Sequence, residues 1–162
     1  MSFTAKEPRC QRLIEQTSRY RALSLRLVEK ELAEVCQHQN VEVSLCVGDF
    51  DFLVVIENEP RSMISMAEAA KALGINPSSA TRRVRRLLEC GLITKTVDQA
   101  DDRRYWIALT EAGIRLMKEL DDCLLAATRE MYAMVTDEEM EMVFSFMDKC
   151  IEGLQRVLKE NG

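Results

Sequence analysis

Two helix-start signals and one helix-stop signal follow one another in a short stretch near the middle of the chain. Ser65 and Glu68 have the spacing of a capping box, in which each side chain binds a free backbone N–H of the first helical turn. Gly74 suits the left-handed conformation that ends a helix, and Asn76-Pro77 supplies an N-cap followed by proline at the first helical position. Two short helices therefore stand back to back across a tight turn. This order predicts a helix-turn-helix.

The residues before this stretch predict one long helix and one shorter one. From Glu7 to about Gln39 the chain is charged and leucine-rich, with apolar residues at helical period from Leu13 onward. Val41 to Ile56 is ambiguous, because the alternating valines of its first part resemble a strand. We favour a helix from about Gly48 to Asn58, ending before the proline that follows.

The residues after the helix-turn-helix predict a β-hairpin and two more helices. Ile93 to Val97 and Tyr105 to Leu109 are β-rich and are joined by a polar turn segment. Thr110 can cap the next helix, and Thr136 with Glu139 forms a second capping box before the last one. The predicted fold class is α+β and mainly α: a winged helix-turn-helix with a small β-hairpin wing, flanked by long helices.

The second helix of the motif carries four arginines within five positions. Projected at 100° per residue, it turns Ala80, Val84 and Leu87 inward, and Arg82 and Arg86 fall on the opposite side. Small hydroxyl residues at its start allow close approach to a major groove, where guanidinium groups reach phosphates or guanine edges. The alternative is a solvated basic face. The predicted DNA-contacting residues of this helix are Ser78, Ser79, Thr81, Arg82, Arg83, Arg85 and Arg86.

The hairpin tip offers a second DNA contact. It carries Asp101, Asp102, Arg103 and Arg104, and an arginine on a narrow β-ribbon can enter the minor groove. An adjacent carboxylate weakens DNA affinity unless it orients the guanidinium. The alternative is a charged loop in solvent.

The charge distribution agrees with a DNA-binding centre although the total charge does not. The 162 residues carry a formal charge of −5, which on its own argues against nucleic acid. Arg61 to Trp106, however, holds nine basic and five acidic residues, a charge of +4, and the remainder carries −9. The basic centre is therefore the candidate DNA surface, and the acidic remainder limits unproductive adhesion to DNA.

From Phe50 to Leu116 the sequence resembles the MarR family of winged-helix transcription regulators. The resemblance is carried by AEAAKALGI, NPSSATRRVRRLLECGLI, DDRRYWIALT and the closing LTEAG. The wing pattern is the most specific part, with Asp102 and Arg104 followed by the leucine-threonine-x-x-glycine motif. It implies that Arg104 is the minor-groove residue of the wing and that Asp102 orients it.

The resemblance also implies a homodimer on a pseudopalindromic double-stranded operator, and commonly release by a phenolic or other amphipathic small molecule. We expect a single unit over 1–162, with a DNA-binding region at 48–110 and a helical dimerisation region at 1–47 and 111–162. The flanking helices have more apolar surface than one small domain covers, which favours pairing with a second copy. An intrachain helical bundle is the alternative.

Other functional classes find little support in the sequence. His38 is the sole histidine, no Cys-x-x-Cys pair is present, and no phosphate-binding loop or catalytic triad pattern occurs, so we expect no enzyme, metal site or cofactor. The scattered cysteines are expected to be reduced and buried. Without a signal sequence or membrane span, a cytoplasmic protein is expected. Two alternatives remain: a thiol-based redox regulator of the same fold using Cys10, and a winged-helix protein-interaction module.

Overall fold

A computed structural model describes residues 8–98 and 105–160. The wing positions Asp102, Arg103 and Arg104 and the side chain of Cys10 lie outside the described residues, so their roles remain predictions. The described residues form, in order, α1 (Pro8–His38), α2 (Val47–Glu57), β1 (Ile64–Ser65), α3 (Met66–Ala72), α4 (Pro77–Glu89), β2 (Ile93–Val97), β3 (Tyr105–Leu109), α5 (Glu111–Met131) and α6 (Asp137–Glu160). The fold is mainly helical with a small sheet, as the sequence predicts.

The helix-turn-helix signals act as predicted. Glu68 N–H donates to Ser65 Oγ at 3.3 Å, and Ser65 N–H donates to Glu68 Oε2 at 3.0 Å, which completes the capping box of α3. Gly74 has φ +61°, the left-handed conformation expected after the helix end. Asn76 Oδ1 accepts the Ser79 N–H at 2.8 Å and so caps α4. Local backbone chemistry thus determines the start and end of both helices.

The sheet has one strand more than the sequence predicts. The predicted hairpin is present, with Ile93 paired to Leu109 and Val97 to Tyr105. The extra strand β1 pairs antiparallel with β3, so the strand order is β1-β3-β2. A two-residue strand is too short to show a detectable alternation. Its geometry depends on pairing with residues more than forty positions later, Ile64 with Ile107 and Ser65 with Trp106.

The ambiguous segment before the helix-turn-helix resolves as the favoured helix. α2 begins at Val47 and ends at Glu57, within one residue of the prediction. The alternating valines from Val41 onward form no strand among the described residues, and Val41 instead packs on the core. For Val41 and Leu45, packing on the core therefore replaces the strand that the alternation resembled.

The chain divides into two compact units, Met1–Leu124 and Leu125–Gly162. The first contains the three-stranded sheet and a core to which α1, α2, α4 and α5 contribute Leu32, Phe52, Leu87 and Leu116. The second contains the end of α5 and α6, whose first turn is capped by Thr136 and Glu139 as predicted. Of the described helices, none has the length and apolarity needed to cross a bilayer.

Candidate nucleic-acid interface

Helix α4 presents a polar, cationic surface opposite its packed side. Ala80, Val84 and Leu87 are buried in the core, as the helical projection predicts. Arg82 and Arg85 are exposed on the outer side. The helix is therefore fixed by its apolar side, and its remaining surface is available to a ligand.

The start of α4 is held by a compact hydrogen-bond network. Ser78 Oγ donates to Asn76 Oδ1 at 2.7 Å, beside the Ser79 N–H that binds the same oxygen. Thr81 Oγ1 donates to the Pro77 carbonyl at 2.9 Å. Ser78 and Thr81 are exposed and Ser79 is partly buried. These three predicted contact residues therefore share one hydrogen-bonded helix start, where the helix dipole favours an anion such as phosphate.

Two of the four arginines, Arg82 and Arg85, are exposed and available to an anionic ligand. Arg82 makes no ion pair within the described part of the chain. Arg85 Nε lies 2.9 Å from Glu89 Oε1, but the two side chains are 81% and 55% exposed. Water screens such a surface pair, which contributes about 0.5 kcal/mol or less. A phosphate can therefore replace Glu89 at little cost.

The other two arginines face a buried carboxylate. Asp49 on α2 is 0% exposed, and its Oδ2 accepts a hydrogen bond from Arg86 Nη1 at 2.7 Å. Arg83 Nη1 lies 3.6 Å from Asp49 Oδ1, and the side chains of Arg83 and Arg86 are 25% and 33% exposed. The Asp49 carboxylate raises the pKa of the Arg86 guanidinium above its ordinary value. Both guanidinium groups are thus anchored to α2.

The helical projection was wrong about the surroundings of Arg86. It assigned this residue to the solvent side, whereas the guanidinium pairs with Asp49. A projection of one helix takes no account of a neighbouring helix that a long arginine side chain can reach.

Asp49 itself is a functional candidate that the sequence reasoning missed, although a signal existed. It lies on the buried side of α2 with Phe52, Leu53 and Ile56, at the i, i+3, i+4, i+7 spacing of a core-facing stripe. A carboxylate in such a stripe needs a cationic partner, because an unpaired buried charge is very unfavourable. The arginines of α4 could have been recognised as that cationic partner.

The root of the wing is tied together by polar contacts. Trp106 Nε1 donates to Asp98 Oδ2 at 2.6 Å, and Lys95 Nζ lies 3.7 Å from the centre of the Tyr105 ring. These contacts join the ends of β2 and β3 on either side of the predicted DNA-contacting tip. The two strands are therefore also held together by side-chain contacts close to the point where the described residues end.

Two open cavities flank α4 in the first unit. One, of about 930 Å³, lies between α3, the start of α4 and the hairpin, with Met66, Ile75 and Tyr105 in its lining. The other, of about 550 Å³, lies between the end of α1 and the start of α5, with Gln39, Cys90 and Arg115. Both have the size of a small-molecule site, which commonly spans roughly 300–1,000 Å³.

The cysteines differ in exposure, and only one of the described five fits the expectation of a buried thiol. Cys36 is buried, and burial raises the pKa of its thiol. Cys90, Cys123 and Cys150 are half-buried, and Cys46 is exposed beside the start of α2. Across residues 8–98 and 105–160, no three His, Cys, Asp or Glu side chains gather in a group that could hold a metal ion.

Comparison with known proteins finds similarity to transcriptional regulators. Residues 47–104 match the family model of the MarR family. An uncharacterized HTH-type transcriptional regulator of Bacillus subtilis, YcgE, is 31% identical over 104 residues, which cover 64% of this chain and 67% of that protein. About a third of each chain thus lies outside that alignment.

Solved structures of low sequence identity share the fold. A mutant MarR from E.coli complexed with operator DNA has a TM-score of 0.66 at 19% identity, covering 88% of this chain and 94% of that one. RV1404 from Mycobacterium tuberculosis has a TM-score of 0.73 at 20% identity, covering 93% and 97%. The likeness extends beyond the helix-turn-helix to most of the flanking helices.

Proposed function

Because this chain belongs to the MarR family of transcriptional regulators, we propose that it acts as a homodimeric repressor that binds a pseudopalindromic operator. Each copy inserts α4 into the major groove of one half-site. The observation that carries this proposal is the outer surface of α4, the second helix of the helix-turn-helix, on which Arg82 and Arg85 are exposed. A solved relative complexed with operator DNA supports the same use of the fold.

Contacts to DNA are assigned to two regions of each copy. On α4, Arg82 and Arg85 reach phosphates or guanine edges, and Ser78, Ser79 and Thr81 approach at the helix start. Arg83 and Arg86 belong to the same predicted set and stand behind them on Asp49. At the wing, Arg104 enters the minor groove with Asp102 orienting it and Arg103 beside it. The three wing residues lie outside the described residues, so this part rests on the family pattern.

Exposed apolar side chains support the homodimer. On α1, Leu13, Ile14, Tyr20 and Leu23 are exposed. On α6 the exposed apolar residues are Met142, Val143, Phe144, Phe146, Met147, Ile151, Leu154, Val157 and Leu158. Surfaces of this extent on a monomer mark an interaction site. A two-fold dimer buries the same surface of both copies and sets the two α4 helices for successive half-sites.

Release by a small amphipathic or phenolic ligand is the proposed regulatory step, with the protein acting in the cytoplasm where its operator is accessible. The two cavities beside α4 support this step, because a ligand seated in either one contacts elements that also fix α4. A ligand that binds the DNA-free arrangement more tightly shifts the population away from the operator-bound form.

DNA binding is tested by fluorescence anisotropy with a duplex taken from the region flanking the coding sequence. The wild type should bind, and added salt should weaken binding steeply because several phosphates are neutralised. Arg82→Ala should lower affinity roughly ten-fold or more, as expected for one lost guanidinium contact. Arg104→Ala tests the wing in the same assay, and Arg129→Ala is the control for removing one exposed positive charge elsewhere on the chain.

Binding unchanged in the Arg82→Ala, Arg104→Ala double variant would falsify the assigned contacts. If the wild type binds no duplex at low salt, and an acidic protein is captured through the arginines of α4 instead, the chain is a protein-interaction module.

A further inference from the structure

The four arginines of α4 are divided into two pairs by their carboxylate partners. Arg82 and Arg85 face outward, and among the described residues the one carboxylate that pairs with either of them, Glu89 beside Arg85, is itself exposed. Arg83 and Arg86 face Asp49, which has no exposed surface. The two pairs therefore differ in what they must give up in order to contact a phosphate.

Asp49 is fixed in place by its own helix. As the third residue of α2 it accepts the Cys46 N–H at 3.0 Å and the Cys46 thiol at 3.1 Å, both on Oδ2. The same oxygen accepts Arg86 Nη1 at 2.7 Å. Oδ1 is buried and accepts no hydrogen bond from any described atom, with Arg83 Nη1 its nearby cation at 3.6 Å. The two arginines therefore serve different oxygens of the same carboxylate.

Gly48 provides the space for this arrangement. A Cβ at this position would stand closer than 3.0 Å to both terminal nitrogens of Arg83, a separation that real Cβ atoms essentially never show. The guanidinium occupies the volume that any other residue would fill. Gly48 and Asp49 thus form one receptor on α2 for the arginines of α4.

Moving Arg86 to DNA breaks a 2.7 Å hydrogen bond to a buried carboxylate, and moving Arg83 removes the cation nearest to Oδ1, which accepts no hydrogen bond from any described atom. Either loss is more costly than releasing a surface pair. We propose that Asp49 is a positioning residue for DNA binding, which withholds Arg83 and Arg86 so that Arg82 and Arg85 are the α4 arginines that engage DNA. This inference rests on the proposed function, in which α4 enters the groove. Its consequence is specificity, because two positive charges that would attract any phosphate are kept occupied.

The salt dependence of operator binding tests whether the two pairs of arginines differ in their contact with phosphates. Each phosphate contact contributes about 0.9 to the slope of log K against log salt concentration. Arg82→Gln should lower the slope by about that amount. Arg86→Gln should weaken binding through lost positioning but leave the slope at the wild-type value. An equal fall in slope for both variants overturns the inference.

Releasing the two arginines should have the opposite effect. Asp49→Asn should steepen the slope by roughly 0.9 for each arginine that gains a phosphate. It should also lower the ratio of operator affinity to affinity for unrelated duplex. The double variant Asp49→Asn, Arg86→Gln should return the slope toward the wild type. A residue with a structural role alone would lose affinity for both duplexes with no steeper slope, and that result also overturns the inference.

Gly48→Ala is a second route if Asp49→Asn does not fold. The added methyl displaces only the end of a flexible side chain, so the protein should fold with Arg83 dislodged and all charges retained. The same shift in slope and specificity is expected, in weaker form, and its absence in a folded Gly48→Ala variant counts against the inference. A wild type without salt-dependent DNA binding contradicts the proposed function itself, whereas the outcomes above contradict only the role of Asp49.

Discussion

At the residue scale, a glycine sets how closely two segments approach beside the sheet. Gly113 is buried at the start of α5, and its N–H donates to Thr110 Oγ1 at 3.0 Å. A Cβ there would stand closer than 3.0 Å to the backbone carbonyl oxygen of Leu92. Backbone cannot move aside as a side-chain end can. The glycine of the LTEAG motif is thus explained by the close approach of α5 to the backbone of Leu92, the residue before β2.

Gly113→Ala should therefore lower the free energy of unfolding, by about 1–3 kcal/mol, because overpacking forces a backbone shift. Urea denaturation followed by circular dichroism measures the loss. Gly153→Ala in α6 is the matched control, since a Cβ there meets no atom within 4 Å and alanine favours a helix by up to about 1 kcal/mol. Equal losses in the two variants would contradict the steric explanation.

The arginines show what a sequence can and cannot reveal about single side chains. Their presence on one helix was evident from spacing, and so was the inward side formed by Ala80, Val84 and Leu87. Their partners were not, because Asp49 lies on another helix and is separated from Arg86 by 37 positions. The direction of a long side chain depends on tertiary contacts that no local pattern encodes.

At the element scale, the helix boundaries were predictable because capping is local. The Asn76 and Thr110 caps each act on a backbone N–H three positions later in the chain. β1 was not predicted, because its two residues acquire strand geometry only through β3. Alternation left the segment 41–46 ambiguous, because Val41 and Leu45 pack on the core from a segment that forms no strand in the described structure.

The N-cap of α4 offers a test that separates helix stability from electrostatics. Asn76→Ala should cost about 1 kcal/mol of stability and weaken DNA binding by fraying the helix start. Asn76→Asp keeps the cap but places a carboxylate where phosphate is expected, so stability should be retained while DNA affinity falls. Thermal denaturation and anisotropy on the same samples make the comparison. If Asn76→Asp binds as tightly as the wild type, phosphate does not approach this helix end.

At the scale of the whole molecule, the sequence predicted that the long flanking helices, α1 and α6 among them, would expose apolar side chains. The sequence predicted more apolar surface on the flanking helices than one small domain covers, and in the described residues many of these side chains are exposed. What covers them depends on a second chain, which neither composition nor periodicity of one chain identifies. The charge distribution has the same limit. The sequence shows that basic residues are concentrated in the centre of the chain and acidic residues elsewhere, but not which surfaces they form.

The dimer has a direct test in solution. Light scattering should give twice the mass of the chain, and Leu154→Glu in α6 should shift the mass toward the monomer because it buries a charge in the interface. Gln155→Glu, one position later, adds the same charge at a polar residue and should leave the dimer intact. A wild type that is monomeric at micromolar concentration contradicts the proposed dimer. Loss of operator binding should accompany dissociation, because one copy reads one half-site.

The receptor formed by Gly48 and Asp49 also limits how this protein can be re-engineered. A recognition helix exchanged from another regulator would bring its own residues to positions 83 and 86. Unless these are cationic, Asp49 is left buried without compensation, and the chimera loses stability before its specificity can be measured. Retargeting this regulator to a new DNA sequence therefore requires that α4 and the first turn of α2 be exchanged together.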